Sequence, residues 1–323
     1  MNPRQNETFT PEEQNEIRQT VRSILESEGL SQKDVATQSG IAYGTLTGWL
    51  AGTYAGNNDR VAGEIQIWLT SREEKARTRA AIPTSPGFQN TPSAEGFMDV
   101  MRFAQIMPDI VVIAGGPGVG KTKAAEHYAA NTSNAWLVTM EPCSSSVYTM
   151  LSAIGEAMGV SEKVQTKLSR AIGRKVLGSG GLIIIDEAQH LDSKSLDQLR
   201  SIYDIYQVGI ALVGNETVYG RLEGAGRTTE FAQLFSRVGM RVTKARPASK
   251  DVCQLIAAWG IVDRDEVKLL KAIASKPGAL RLMDKCLKVA SMSAAGAAQA
   301  RTIKHIRAAY ERLSTSPVTG AAA

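Results

Sequence analysis

No apolar run in the sequence approaches the roughly 20 residues that a membrane-spanning helix needs, which excludes an integral-membrane reading. The opening residues, Met1 to Pro11, are polar and lack the apolar core of a secretory leader. Cysteine is scarce. Cys143, Cys253 and Cys286 form an odd, scattered set without CxxC spacing, so neither a disulfide framework nor a zinc site is expected. This usage points to a reducing cytoplasm. Histidine is equally sparse: His127, His190 and His305 are too dispersed to form a metal site, and each reads as a surface or packing residue. Charge is not in large surplus either, at a net +5, and with 43% hydrophobic residues the composition is that of an ordinary soluble globular chain.

What is present is organised. A length of 323 residues leads us to expect about two domains. The positive charge is uneven, because from Lys244 onward there are 14 Lys/Arg against 6 Asp/Glu. That local excess suits an anionic polymer as partner, although a solvated basic face would look the same.

The run Gly115-Gly116-Pro117-Gly118-Val119-Gly120-Lys121-Thr122 fits G-x-x-x-x-G-K-[ST] and follows the apolar, strand-like segment Ile110 to Ala114. Glycines let backbone N–H groups converge on the β- and γ-phosphates at a helix N-terminus, where the dipole favours anions. Lys121 is expected to reach the β/γ oxygens and Thr122 to hold Mg²⁺. The chain therefore reads as a binder of a nucleoside triphosphate. Leu182 to Ile185 is a continuous apolar run of the kind that buried parallel strands show, and it ends on Asp186 and Glu187. There Asp186 is placed to order Mg²⁺ and Glu187 to polarise the attacking water. Ile210 to Gly214 is a further buried strand ending on Asn215, suited to hold the lytic water or the γ-phosphate. Arg237 follows an expected helix over Thr228 to Leu234, and Arg281 opens a late helix after Pro277-Gly278 and points back at the nucleotide. Either arginine has a structural ion pair as its alternative reading.

Ahead of this lies a smaller unit. Thr10-Pro11-Glu12-Glu13 reads as a helix start with a Thr cap, Pro at the first position and a capping box. Ser31 to Leu50 then has the pattern of two crossing helices, with small Ala36 at the crossing and Gly40 in the turn between them. Val35, Ile41, Leu46 and Trp49 are the expected core, and Val61 to Leu69 a closing helix. The pattern resembles the helix-turn-helix of phage-repressor-type domains, with Ala42 to Leu50 as recognition helix. The front of that helix (Ala42, Tyr43, Gly44, Thr45, Thr47) offers no Arg, Asn or Gln for bidentate base readout. Weak, phosphate-based DNA contact and protein docking both remain open.

Taken in order, these motifs resemble the AAA+ ATPases: Walker A, Walker B, sensor 1 at Asn215, an arginine finger at Arg237 with Arg241 as second choice, and sensor 2 at Arg281. Under that resemblance Arg237 acts on ATP held by a neighbouring subunit. The likeness narrows to the B proteins of Mu-like transposable phages, through Met101-Arg102-Phe103-Ala104, the Gly-Val-Gly-Lys-Thr loop, Ile184 to Ala188, Glu230-Phe231-Ala232, Leu234 to Arg237 and Lys276 to Arg281. The implied architecture is an all-α helix-turn-helix domain over 1–72, a flexible linker over 73–95, an α/β AAA+ P-loop core with a parallel sheet and flanking helices over 96–247, a helical lid over 248–313 and a disordered tail over 314–323. The implied activity is ATP hydrolysis, stimulated by DNA and assembly, with ATP and Mg²⁺ as cofactors, in the cytoplasm of a bacterial host.

Members of that family bind double-stranded DNA with little sequence preference, assemble on it as helical homo-oligomers and deliver it to a cognate transposase. The residues permit such a role. Lys163, Lys167, Arg170, Arg174 and Lys175 lie together between the first two core strands, in a region that faces the central channel in AAA+ assemblies. Lys244, Arg246 and Lys250 form a second basic patch, and Lys285, Lys288, Arg301, Lys304 and Arg307 a third. Each has a solvated face as its alternative. Other functions built on the same core are a helicase loader or replication initiator, whose DNA-reading domain usually follows the ATPase, an ATP-gated helix-turn-helix transcription regulator, and a nucleotide-dependent scaffold without significant hydrolysis.

Overall fold

The computed structural model describes residues 8–81, 84–216, 236–297 and 299–314, without the side chains of 77–81. The chain separates into two compact units, 1–82 and 83–323.

The first unit is helical: α1 (Pro11–Glu28), α2 (Gln32–Ser39), α3 (Tyr43–Leu50) and α4 (Asn58–Ala81). Local chemistry sets the helix ends. The Thr10 hydroxyl accepts from Glu13 N while Glu13 Oε2 accepts from Thr10 N, which satisfies two otherwise orphan donors. Gly40, at φ 76°, turns the chain from α2 into α3, a left-handed conformation that a side chain would strain. Val21, Val35, Leu46, Trp49, Val61 and Ile65 are fully buried between the helices. Arg18 Nε donates to Trp49 O at 2.7 Å, with its guanidinium 4.7 Å from the Trp49 ring centroid, and Arg22 donates to Leu50 O at 2.5 Å. These two cations close the C-terminus of α3, where the helix dipole is negative.

The structure corrects the expected linker. Helix α4 continues through Glu73 to Arg79, well past the expected end at Leu69. Glu, Lys, Arg and Ala are strong helix formers, and no Gly or Pro interrupts them before Pro83. Nor is the following stretch free. Ser85 Oγ donates to Asp284 Oδ1 at 2.8 Å, Phe88 stacks on His127 at 3.8 Å, and α5 (Pro92–Ile106) begins at an N-cap on Thr91, ahead of the expected start near Gly96.

After α5 the second unit runs β1 (Ile110–Gly115), α6 (Lys121–Asn131), β2 (Ala135–Thr139), α7 (Val147–Met158), α8 (Gln165–Val176), β3 (Leu182–Asp186), α9 (Ser193–Tyr206), β4 (Gly209–Gly214) and β5 (Val238–Lys244). The sheet is wholly parallel, in the order β2-β3-β4-β1-β5. Strand residues alternate between two cores. Val111, Ile113, Ile184, Ala211 and Val213 pack under α5 and α6, and Val112, Ile183, Ile185, Ile210 and Leu212 pack under α7, α8 and α9. All three central strands are buried along their length, which is why each reads as an unbroken apolar run. The edge strands β2 and β5 are half-exposed and mix apolar with polar residues, and neither was evident from the sequence. The expected helix over 228–234 lies outside the described residues.

Four helices follow: α10 (Ser249–Ala258), α11 (Arg264–Ala274), α12 (Ala279–Gly296) and α13 (Ile303–Leu313). They share a core of Leu270, Ile273, Met283, Leu287, Ile306 and Tyr310. This helical region is tied back to α5 by Asp251, a fully buried carboxylate. It accepts from Ser93 N at 3.0 Å, Ser93 Oγ at 2.5 Å and Ala248 N at 2.7 Å. Of the expected tail, Ser314 is described and residues 315–323 are not.

Candidate functional site

The C-terminal ends of β1, β3 and β4 meet at one edge of the sheet, where open α/β sheets bind their ligands. The glycine-rich loop links β1 to α6 there, and two backbone segments crowd it. A Cβ on Gly115 would stand 2.1 Å from Lys244 O, one on Gly116 2.2 Å from Ala245 O, and one on Gly118 2.0 Å from Gly278 O. Only glycine fits at these positions. Gly116 N donates to Lys244 O at 3.0 Å, and Leu280 N donates to Gly118 O at 3.2 Å. The N-terminus of α12 therefore sits directly on the loop. Ala279, its first residue, holds φ 40°, a strained value for a residue with a side chain.

Lys121 Nζ donates to Gly115 O at 2.8 Å and Gly116 O at 3.0 Å. Burial lowers its pKa, and the charge of Arg281 acts in the same direction, while Asp186 and Glu187 oppose it. Arg281 is thus close enough to be felt at the loop, although its side chain is exposed. Asp186 is buried, at 2% exposure, and burial raises its pKa against a hydrogen bond from Thr122 and the N–H of Glu187. A hydroxyl and a carboxylate facing each other beside a phosphate loop are hard oxygen donors, the set that suits Mg²⁺.

Glu187 follows β3 at φ 53°. Its carboxylate accepts from Gln189 Nε2, and Gln189 Oε1 accepts from the backbone N–H of Asn215 at 3.3 Å. Asn215 and Glu216 line a cavity of about 480 Å³ with Gly115, Gly116, Arg246 and the Ser275–Ala279 turn. A larger cavity of about 640 Å³ lies between α5 and α6, lined by Met98, Arg102 and Tyr128, and has no phosphate-cradling backbone.

The fold thus gathers Gly115 to Thr122, Asp186, Glu187, Asn215 and Arg281 at one place. Arg237 lies elsewhere, just before β5. Seven residues at about 3.3 Å each put it roughly 20 Å from the Lys244 end beside the loop. Its Nε donates to Asp204 Oδ1 at 3.2 Å, so within one chain it is an exposed ion pair. Arg241 stands within edge strand β5, in register with Val112. Three residues escaped the sequence reading. Gln189 carries no motif, Glu216 and Lys121 interact electrostatically, and Arg246, grouped in sequence with a DNA patch, lines the nucleotide-side cavity.

The basic candidates separate clearly. Lys163, Lys167, Arg170, Arg174 and Lys175 are all exposed, on α8 or just before it, and none pairs with a carboxylate among the described residues. Lys167, Arg170 and Arg174 share one face of α8, opposite buried Leu168, Ile172 and Val176. This segment lies between β2 and β3, so it precedes the second strand found in sequence rather than the second strand of the fold. Lys250 is exposed near the start of α10, whereas Lys244 is half-buried at the end of β5. In the third patch Lys288 pairs with Asp284 at 3.0 Å and Arg301 with Glu266 at 3.8 Å. The first unit offers little to a polyanion. Residues 1–82 contain 9 Lys/Arg against 11 Asp/Glu, and Arg18, Arg22, Arg60 and Arg72 are engaged internally.

Comparison with known proteins adds an independent line. A family model described as "Mu B transposition protein, C terminal" matches residues 236–313, and one described as "AAA domain" matches 107–222. The "ATP-dependent target DNA activator B" of Escherichia phage Mu is 37% identical over 300 residues, covering 92% of this chain and 95% of that protein. The "Mu-like prophage FluMu DNA transposition protein B" of Haemophilus influenzae is 33% identical over 267 residues, covering 81% and 92%. Among solved structures, the Aeropyrum pernix ORC2 protein in its ADP form superposes with a TM-score of 0.53 at 17% identity, over 68% of this chain and 66% of that one. That last likeness is one of fold alone.

Proposed function

The chain belongs to the Mu B transposition protein family, and from that premise we propose that it is an ATP-dependent, sequence-non-specific DNA-binding ATPase that activates target DNA for transposition. It assembles on duplex DNA as a helical filament of identical subunits, delivers that DNA to its cognate transposase and stimulates strand transfer. It acts in the cytoplasm of the bacterial host. The single observation that carries the reading is the convergence of the Gly115–Thr122 loop with Asp186, Glu187 and Asn215 at the ends of β1, β3 and β4. Likeness to the phage Mu protein over 92% of the chain favours this function over a helicase loader or a transcription regulator on the same core.

The residues take the following roles. Loop amides and Lys121 bind the β- and γ-phosphates, for which Lys121 leaves the carbonyls of Gly115 and Gly116. Thr122 and Asp186 would hold Mg²⁺, which would supply positive charge to offset that of the phosphates. Glu187 takes a proton from water as the water oxygen bonds to the γ-phosphorus. The bond to the β–γ bridging oxygen then breaks, and ADP and phosphate leave. Asn215 orients that water or the γ-phosphate from the β4 side. Arg281, on the helix that touches Gly118, reports the phosphate state to the lid. Arg237 is too far from its own loop, so it exchanges Asp204 for the γ-phosphate of a neighbour, which makes turnover depend on assembly. The exposed cations of Lys163 to Lys175 track the DNA backbone, with Lys244 and Lys250 as a second contact, and phosphate contacts of this kind confer no sequence preference.

Electron microscopy with random-sequence duplex DNA tests the proposal. Filaments with ATP but not with ADP or without nucleotide are the expected result. Closed rings without DNA, or binding to one sequence whatever the nucleotide, would overturn it.

A further inference from the structure

We infer that Gln189 is a positioning residue for ATP hydrolysis, a single amide that fixes the carboxylate of Glu187 relative to Asn215. The inference rests on the reading of Glu187 as the group that takes the proton from water.

The local backbone makes the bridge possible. Glu187 is in the left-handed region, at φ 53°, so the chain turns sharply as it leaves β3. The next residues, Ala188–His190, form a short 3₁₀ turn held by His190 N to Glu187 O at 3.0 Å and Leu191 N to Ala188 O at 3.2 Å. Ala188 and Leu191 are buried and anchor that turn in the core under α7, α8 and α9. Gln189, half-buried between them, therefore springs from a fixed base. Its Nε2 donates to Glu187 Oε2, and its Oε1 accepts from Asn215 N at 3.3 Å.

The two ends of the amide do different work, and a primary amide does both. A glutamine offers a donor and an acceptor on one planar group. Glu187 as a carboxylate needs the donor, and the Asn215 N–H needs the acceptor. Without the donor, Glu187 has rotamers that swing its oxygens away from the water. Without the acceptor, the segment that follows β4 loses its tie to the β3 end. The bridge thus keeps the proton acceptor and the residue facing the γ-phosphate at a constant separation, which is what a near-attack geometry requires.

Three variants of the full chain separate these roles, read by DNA-stimulated ATP turnover and by hydrogen–deuterium exchange at the Asn215 amide. Gln189→Ala removes both bonds. Its kcat is expected to fall about 10-fold or more, the usual scale for one hydrogen bond to a charged group, with the KM for ATP and the affinity for ADP within about twofold. Exchange at Asn215 is expected to rise. Gln189→Glu keeps an acceptor for Asn215 but sets a carboxylate against Glu187, so kcat falls as far while protection at Asn215 stays. A residue that only stabilised the turn would leave Gln189→Glu close to wild type in rate. Unchanged or faster turnover in both variants, or a loss confined to KM, would overturn the inference. A kcat loss in Gln189→Ala with full activity in Gln189→Glu would also overturn it, by leaving only the Asn215 tie. Glu187→Gln is the control for the reading beneath: normal turnover there removes the role of Glu187 itself, whatever the Gln189 variants do. Thermal melts confirm that each variant is folded.

Discussion

Replacing Asp251 by Ala tests how the helical lid is joined to the nucleotide core. The carboxylate is fully buried and accepts three hydrogen bonds, two from backbone N–H groups and one from the Ser93 hydroxyl. Its partners lie on both sides of the joint, Ser93 in the first turn of α5 and Ala248 just before α10. Alanine would leave three donors in a dry site. Each buried donor without a partner costs about 1–3 kcal/mol, and the hydroxyl can rotate to find another acceptor, so a net loss of about 3–5 kcal/mol is expected. For a unit of this size 1 kcal/mol lowers the melting temperature by about 2–4 °C, which gives a fall of roughly 10 °C. Asp251→Asn keeps one acceptor oxygen and should lose about half as much. Scanning calorimetry of the nucleotide-free protein measures both. A fall below about 2 °C for Asp251→Ala would refute the view that this carboxylate clamps lid to core.

Asp186→Asn should raise the melting temperature of nucleotide-free protein at neutral pH and abolish stabilisation by Mg-ATP. Burial lifts the folded pKa of Asp186 above its ordinary value of 3.8, so its ionised form is a cost to the fold once the pH exceeds that raised value. The gain should therefore fade as melts are repeated down to and below about pH 4, and a variant no more stable than wild type at neutral pH would count against it. Replacing Lys167, Arg170 and Arg174 together by Ala should flatten the dependence of log K for DNA on log salt by about 2–3, at roughly 0.9 per phosphate contact, with ATP affinity unchanged. The same slope in the variant would move the DNA contact to Lys244 and Lys250. A thiol reagent should modify Cys143 and Cys253 in the folded protein but Cys286 only after denaturation, since Cys286 is buried and its pKa is pushed up to about 11. Rapid modification of all three thiols would show that the packing around α12 is wrong.

The parts of this molecule that were legible in sequence depend on residues a few positions apart. The Thr10 cap, the turn at Gly40 and the phosphate loop are each complete within about eight residues, so their chemistry is written locally. The three central strands could be read because burial on both faces demands apolar residues throughout. The same reasoning missed β2 and β5. Edge strands answer to solvent on one side: β2 is only five residues long and mostly half-exposed, and Arg241 and Lys244 interrupt the apolar residues of β5. It also ended α4 too early, because an exposed charged helix and a charged linker have the same composition.

Sequence by itself determined the phosphate-loop motif, the capped start of α1, the three central strands and the division into an all-α unit and an α/β unit. Only the tertiary structure decided which distant residues meet. Strand order β2-β3-β4-β1-β5 brings Glu187 and Asn215 to one edge and lets Gln189 bridge them. Packing of the lid sets Gly278 against Gly118 and Ser93 against Asp251, across separations of about 160 residues. It also places Arg246 at the nucleotide cavity and leaves Arg237 at the far end of β5. No local pattern encodes such contacts, because their partners are chosen by how buried faces fit together once the strands and helices exist.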